Sequence, residues 1–532
     1  MIRLADLAHP ETRSWSQARQ AFAWPAVDRY NIAVDCLNGE PAATAVLSVE
    51  GDRLVRVTYA DLNEQTARLG HVLAGLGVTP GDRVAVKLPQ SLDMAVAALA
   101  VLRIGAVLVP ISTVLGEDAV QHRLLDSAPR VLIGSGSEAD SALARPAGAI
   151  PISTSTDGAA PAMRELMRDA SPVGRLAATP ADTPALLLYT SGTTGRSKGV
   201  LHAHRVLLGH HALDLAWDHV RAGDVAYSPV DWAWAGGLLL GLLAPLAYGM
   251  TVVAYRETRF DPDRTVRLLG EAGVSVGLFP PTALRMLRGS DRLTPPAMRA
   301  LRLRSLISGA EAVEPGLSDW ARTLGLAVNN AFGQTEANAL IGHSTVLGEL
   351  DPACLGTPYP GHRIAILDPA LRELPPGEVG EIAVRADDPV CMLRYWNAPE
   401  ATAQKVRDGW LLTGDSAYAD DQGRVYFRGR ADDIIKSGGY RLGPAEIEAA
   451  MLTHPAAAEC AVVGLPDPVR GQVVTAFVRL APGTPATSDL TRELQERVRA
   501  RVGAHAYPRT VHYVTELPRT ATGKIHRAAL RA

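Results

Sequence analysis

Short apolar runs alternate with stretches of helical length through most of the chain. RVAVKLP (83–89) predicts a strand, SLDMAVAALAVLRIG (91–105) a helix and AVLVPIS (106–112) the next strand. The alternation returns between residues 250 and 330, where TVVAY, DPDRTVRLLGEAG, VSVGLF, PTALRMLRG, SLIS and PGLSDWARTLG predict strand and helix in turn. Such alternation marks βαβ units and mostly parallel sheets, because a parallel pair needs a crossover between its strands. After about residue 355 the texture becomes turn-rich, with LGTPYPG, ELPPGEVGEIAVRA and a hairpin pattern in DDQGRVYFRGRADD, which predicts a β-rich subdomain over about 355–431. From Asp432 the chain starts afresh with helix, strand, strand and helix in PAEIEAAMLTH, AECAVVGL, VVTAFVRL and SDLTRELQERVRARV. The expected fold class is α/β: a large N-terminal domain (1–431) of parallel-rich sheets with its small β subdomain, and a small α+β C-terminal domain (432–532).

One apolar run complicates the pattern. From Trp232 to Tyr255 no residue carries a charge, and the length alone would suit a membrane span. Pro245 and Gly249 interrupt it and TVVAY reads as a strand, so a buried helix followed by a buried strand is the expectation. The start, MIRLADLAHPETRSW, has neither a basic segment nor an apolar one of the secretory kind, so a cytoplasmic protein without a membrane span is expected.

Composition narrows the classes further. Of 532 residues, 53 are Lys or Arg and 56 Asp or Glu, a net charge of −3, which excludes nucleic-acid binding driven by bulk charge. With 20% charged and 47% hydrophobic residues the chain is not globally disordered. Cys36, Cys354, Cys391 and Cys460 lie far apart with no CxxC pair, which fits a reducing compartment rather than a disulfide framework or zinc ribbon.

The sharpest chemical signal is LLLYTSGTTGRSKGV (186–200). A strand enters Thr190, Ser191, Gly192, Thr193, Thr194 and Gly195, closed by Lys198. Glycine lets backbone N–H groups come close, hydroxyls add donors and lysine adds charge, so the segment can surround a polyphosphate. A mere Ser/Gly-rich turn explains the glycines but not a row of donors ahead of a lysine. The spacing is not that of a Walker loop.

YTSGTTGRSKGV resembles the phosphate-loop motif of the adenylate-forming superfamily, which includes acyl-CoA synthetases, peptide-synthetase adenylation domains and luciferases. NNAFGQTE (329–336), GEVGEIAVR (377–385), WLLTGD (410–415), GRADDIIKSGGYRLGPAEIE (429–448) and PRTATGKIHR (518–527) resemble its further motifs in order, from about residue 30 to the end. The resemblance implies an ATP-, Mg²⁺- and coenzyme A-dependent acid–thiol ligase. It implies that Thr335 contacts the α-phosphate, that Glu336 binds Mg²⁺, and that Gly309, Ala310, Glu311, Asn330 and Phe332 frame the adenine. Asp415 and Arg430 would take the ribose, Arg441 a phosphate, and Lys524 would bring charge to the adenylation step on a mobile domain that turns about Asp432. Gly438 and Gly439 would line the coenzyme A tunnel. IKSGGYRLGPAEIE is closer to acyl-CoA synthetases of the medium-chain group than to the K-I-R-G-x-R-I-E of peptide synthetases, so coenzyme A is the expected acceptor, with the basic excess near the C-terminus meeting its phosphates. Loading of an acyl- or peptidyl-carrier protein is the alternative within the class, and a non-catalytic nucleotide-binding homologue the alternative outside it.

For the acyl group, SPVDWAWAGG (228–237) resembles the family's aromatic segment, with Trp232, Trp234, Ala235 and Gly236 near the acid. Acetate-specific members carry Trp where this chain has Gly333, which implies room for a carboxylic acid larger than acetate. Three weaker signals are set aside. GSGSEA (134–139) offers a dinucleotide-type glycine pattern, but the following SEADSALARP reads as too short for a crossover helix. Residues 202–219 hold five of the 14 histidines, and on a helix His211 and Asp218 would share a face with Asp214 nearby; the stretch reads as an amphipathic helix. Residues 141–162 read as a surface loop.

Overall fold

The strands written as continuous apolar runs are those buried on both faces at the centres of two large sheets. A computed structural model describes residues 2–531 except 10–11, 157–159, 175, 191–196, 258, 291, 310–314, 349–350, 352–353, 431–432, 434, 438–439, 468–470, 504–505 and 521–523. The chain divides into two compact units, one of residues 1–190, 198–363 and 385–409, the other built on 364–384 and 410–532.

The first unit is a mixed α/β body with two sheets. One has seven strands in the order Arg394–Tyr395, Gly199–Ala203, Pro184–Tyr189, Val107–Pro110, Arg83–Val86, Val131–Gly134 and Ile150–Ser153. From Pro184–Tyr189 onward the neighbours are parallel, and the two strands beyond it are antiparallel. The nine-stranded sheet keeps a parallel centre, with Ala327–Gln334, Ser305–Gly309, Val276–Leu278, Val225–Tyr227, Thr251–Ala254 and Thr44–Glu50 side by side. Helix Leu92–Arg103, capped by Ser91 Oγ accepting from Met94 N at 3.2 Å, is apolar nearly all round because it is buried nearly all round. Its side chains share one core with residues of both sheets, among them Val84, Leu186, Val252 and Ile307.

The uncharged run is helical from Ala235 to Ala247, with a π-helical turn at Leu239–Leu243, and continues into the strand Thr251–Ala254. Gly249 (φ +76°) supplies the left-handed residue at which the helix stops. Among the described residues no helix is long and apolar enough to cross a membrane.

Three local expectations are corrected. Residues 141–162 are not a plain loop: they contain the strand Ile150–Ser153, paired in parallel with Val131–Gly134. The crossover helix between those strands does form, at Glu138–Ala144. The glycine loop before it is filled by the chain itself, since Asp140 Oδ2 accepts from Ser135 N at 2.9 Å and Oδ1 from Lys87 Nζ at 2.7 Å. A carboxylate thus stands where a dinucleotide fingerprint would hold pyrophosphate. Residues 202–219 are not an amphipathic helix either. His202 lies within the strand Gly199–Ala203, and 204–216 form buried 3₁₀ and α turns. Their would-be metal ligands have other partners: His211 stacks on Phe22 (centroids 4.2 Å), Asp214 accepts from His9 N, and Asp218 accepts from the hydroxyls of Ser305, Ser344 and Thr345.

In the second unit Ile364–Leu367 pairs antiparallel with Gly380–Arg385, and Trp410–Ala419 with Val425–Arg430, over a small core of Ala365, Leu367, Ala383, Trp410 and Leu412. The C-terminal residues form an α+β layer, in which helices Pro444–Leu452 and Ser488–Arg501 pack on the strands Ala457–Asp467 and Gly471–Leu480 through Ile447, Met451, Val462, Val478, Leu494 and Val498.

Candidate active site

The segment from Tyr189 to Gly199 connects two antiparallel strands, and Thr190 N donating to Lys198 O at 3.0 Å closes its base. It is therefore a hairpin loop and not the strand-to-helix turn of a Walker site. Ser191, Gly192, Thr193, Thr194 and Gly195 lie outside the described residues. Lys198 is exposed, with Nζ 5.4 Å from the centre of the Tyr395 ring.

Thr335 and Glu336 form the turn between the antiparallel strands Ala327–Gln334 and Ala337–Gly342. The turn is held from two directions. The buried His202 donates from Nε2 to Thr335 O at 2.7 Å, and its burial lowers its pKa to about 4, so the ring is neutral near pH 7. Tyr395 donates its hydroxyl to Glu336 Oε1 at 2.6 Å, and Met392 N donates to Glu336 O at 2.8 Å. Asn330 and Phe332, two apart on one strand and hence on one face, are half-buried. Gly309 pairs with Ala331 on the neighbouring strand, where a Cβ would lie 2.2 Å from Ala331 O. Ala310 and Glu311 are outside the described residues.

Trp234, Ala235 and Gly236 are half-buried at the start of the uncharged helix, and a Cβ on Gly236 would meet only Leu278 Cδ2, at 3.7 Å. Trp232, by contrast, is 1% exposed and belongs to the main core. Gly333 does not open the space expected of it. A Cβ there would lie 2.5 Å from Ala339 N and 3.0 Å from the carbonyl carbon of Asn338, so its missing side chain admits a backbone rather than a substrate. Gly333→Ala is expected to cost about 1–3 kcal/mol through that overlap; an unchanged unfolding temperature would contradict it.

In the second unit Asp415 and Arg430 stand directly opposite one another across a hairpin, with Arg430 Nε 3.7 Å from Asp415 Oδ1. Asp415 is 5% exposed, and the residue before it, Gly414 (φ +78°), donates N–H to Glu381 Oε1 at 2.7 Å. A buried carboxylate beside a half-exposed guanidinium offers an acceptor and a donor for a diol. Lys524 is exposed on a turn closed by Thr520 N donating to Lys524 O at 2.7 Å. Arg441 lies on the strand Tyr440–Leu442 with its side chain outside the described residues, as are Asp432, Gly438 and Gly439. Part of the basic excess near the C-terminus is paired within the unit: Arg519 with Glu459, Arg527 with both oxygens of Glu448 (2.9 and 2.8 Å), and Arg531 with Asp433, while Arg492, Arg499, Arg501 and Arg509 are exposed.

The AMP-binding enzyme family profile matches residues 35–396, and the AMP-binding enzyme C-terminal domain matches 446–524. The chain belongs to the AMP-binding enzyme family. This AMP-binding enzyme is 30% identical to an acetyl-coenzyme A synthetase of Bacillus subtilis over 97% of its own length and 93% of that protein. It is 33% identical to the mitochondrial acyl-coenzyme A synthetase ACSM2 of Rattus norvegicus, covering 89% of this chain and 84% of that one. Among solved structures it resembles ATP-bound MatB from Rhodopseudomonas palustris (TM-score 0.86, 29% identity, 94% of this chain and 98% of that one). A benzoate CoA ligase from Burkholderia xenovorans is also similar (TM-score 0.84, 28% identity, 94% and 100%). His202, Tyr395 and Glu381, which hydrogen-bond Thr335, Glu336 and Gly414, are contacts that the sequence reading did not single out. His202 was visible only as one of several histidines, and Tyr395 stands 59 residues from its partner.

Proposed function

We propose that this AMP-binding enzyme activates a carboxylic acid larger than acetate, of short or medium chain, branched or aryl, as its acyl-adenylate and then transfers the acyl group to coenzyme A. The observation that carries the reading is the Thr335–Glu336 turn, held by His202 and Tyr395, with Lys198 against the same tyrosine.

In the first half-reaction a carboxylate oxygen bonds to the α-phosphorus of ATP, the bond to the β-phosphate bridging oxygen breaks, and pyrophosphate leaves with that electron pair. Thr190 and Lys198 hold the outer phosphates, Thr335 the α-phosphate, and Asp415 and Arg430 the ribose; Lys524 offsets the charge that gathers on the α-phosphate. Glu336 suits a magnesium ion. It is a hard oxygen donor with its plane fixed by Tyr395, and no group of three or more His, Cys, Asp or Glu among the described residues could hold a metal by itself. That donor set fits an ion that takes most of its ligands from phosphate and water. When bound, the ion supplies charge neutralisation on the triphosphate. In the second half-reaction the thiolate of coenzyme A bonds to the acyl carbon and AMP leaves with the electron pair of the anhydride bond. The apolar character of the acid is supported by Trp234, Ala235 and Gly236 at the head of an uncharged helix.

The test is a pyrophosphate-release screen over acetate, branched short-chain, medium-chain and aryl acids, with and without coenzyme A. At least one acid larger than acetate should exceed it by about tenfold or more in kcat/KM, the usual value of added apolar contact, and yield a thioester with coenzyme A. Acetate as the best substrate, or product only with a carrier protein, would overturn the respective part.

A further inference from the structure

Residues 391–396 touch both charged groups of the nucleotide site. Their backbone is tied to two elements at once: Leu393 N donates to Leu201 O (2.8 Å) and Trp396 N to Gly199 O (2.7 Å), while Met392 N donates to Glu336 O (2.8 Å). Tyr395, paired with Val200 in register and 7% exposed, is fixed by this arrangement. Its hydroxyl reaches Glu336 Oε1 at 2.6 Å, and the Lys198 ammonium lies over its ring at 5.4 Å. A carboxylate and an ammonium therefore share one neutral side chain. Paired directly, they would form an ion pair that would have to be broken before either could meet its ligand. The phenol instead gives each charge a weaker partner, an O–H donor for the carboxylate and a π face for the ammonium.

We propose that Tyr395 is a positioning residue of the nucleotide site: it turns Glu336 for a divalent cation and holds Lys198 over its ring without letting the two charges neutralise each other. The inference rests on the ATP-dependent ligase reading given above. A phenol that merely satisfies its own hydrogen bond would, when removed, cost stability and nothing else.

Calorimetric titration of the full chain with ATP, once with Mg²⁺ and once with a chelator, separates these cases for wild type, Tyr395→Phe and Tyr395→Leu, with thermal unfolding recorded alongside. Tyr395→Phe keeps the ring, so metal-free ATP should bind as in wild type, while affinity for ATP with Mg²⁺ should fall about tenfold for the loss of one charge-assisted hydrogen bond. Tyr395→Leu should lower both, the metal-free affinity by about threefold or more once Lys198 loses its ring. Unchanged Mg²⁺-dependent affinity in Tyr395→Phe overturns the proposal, whether or not the unfolding temperature drops. Equal loss with and without metal in that variant does the same. If wild type fails to bind ATP with Mg²⁺, the ligase reading falls and the inference with it; a binding wild type with an unaltered Phe variant removes the inference alone.

Discussion

Replacing Lys524 by alanine is expected to lower acid-dependent pyrophosphate exchange by about a thousandfold, the scale of losing one preorganised charge at a transition state. Thioester formation from supplied acyl-adenylate and coenzyme A should survive largely intact. The two halves differ in electrostatics. Attack of a carboxylate on the α-phosphorus brings an anion to an anion and spreads charge over the phosphoryl oxygens, whereas thiolate attack on the acyl carbon expels AMP without new bonding at phosphorus. The substitution should remove a charge and leave the fold, because Lys524 is exposed and contributes its carbonyl to the turn, while Arg519 and Arg527 beside it are anchored to Glu459 and Glu448. Equal loss of both half-reactions, at an unchanged unfolding temperature, would count against the assigned role.

Acidification from pH 7 to pH 4.5 is expected to unfold the first unit cooperatively, with uptake of about four protons. Burial lowers the pKa of His202, His210 and His343 to about 4 and of His204 to about 3, and pushes His211 well down as well. The unfolded chain titrates these groups near 6.5, so between about pH 6.5 and 4 it binds more protons than the folded one, and stability falls as pH falls through that window. Each such shift is worth on the order of 3 kcal/mol, and four together rival a total stability of about 5–15 kcal/mol. Asp35 acts in the opposite sense. Burial raises its pKa to about 6 although Tyr30 donates to it at 2.5 Å, so it takes up its proton earlier in the folded state and offsets one histidine, not four. Fluorescence- or dichroism-monitored pH titration checks this, and an unfolding temperature equal at pH 7 and 4.5 would rule it out.

Much of the fold was legible because its signals are local. A strand buried on both faces must be apolar throughout, as Val107–Pro110 and Val131–Gly134 are, and a helix buried all round must look like Leu92–Arg103. The phosphate-loop motif stands as a sequence expectation, since glycines, hydroxyls and a lysine in one run carry their chemistry locally and residues 191–196 lie outside the described residues. The misreadings came where a short turn folds the chain back on itself, or where a residue's partner lies far along it. The glycines at 134 and 136 looked open until Asp140 turned back onto the first and Ser153 was set against the second, and Gly333 looked like pocket space until the backbone at 338–339 was set against it. Arg519, Arg527 and Arg531 looked unpaired because their carboxylate partners, Glu459, Glu448 and Asp433, lie 60 to 98 residues away.

By itself, the sequence determined the class of the protein: an α/β chain with an adenylate-forming set of motifs, and an uncharged run that becomes a buried helix and strand. Periodicity, turn chemistry and motif spacing act over a few residues, so they survive without coordinates. Only the tertiary structure decided what holds Thr335 and Glu336 in place. His202 meets the Thr335 carbonyl across 133 residues, and Tyr395 meets Glu336 across 59. Those partners are chosen by which backbones the sheets bring side by side, a choice no local pattern encodes.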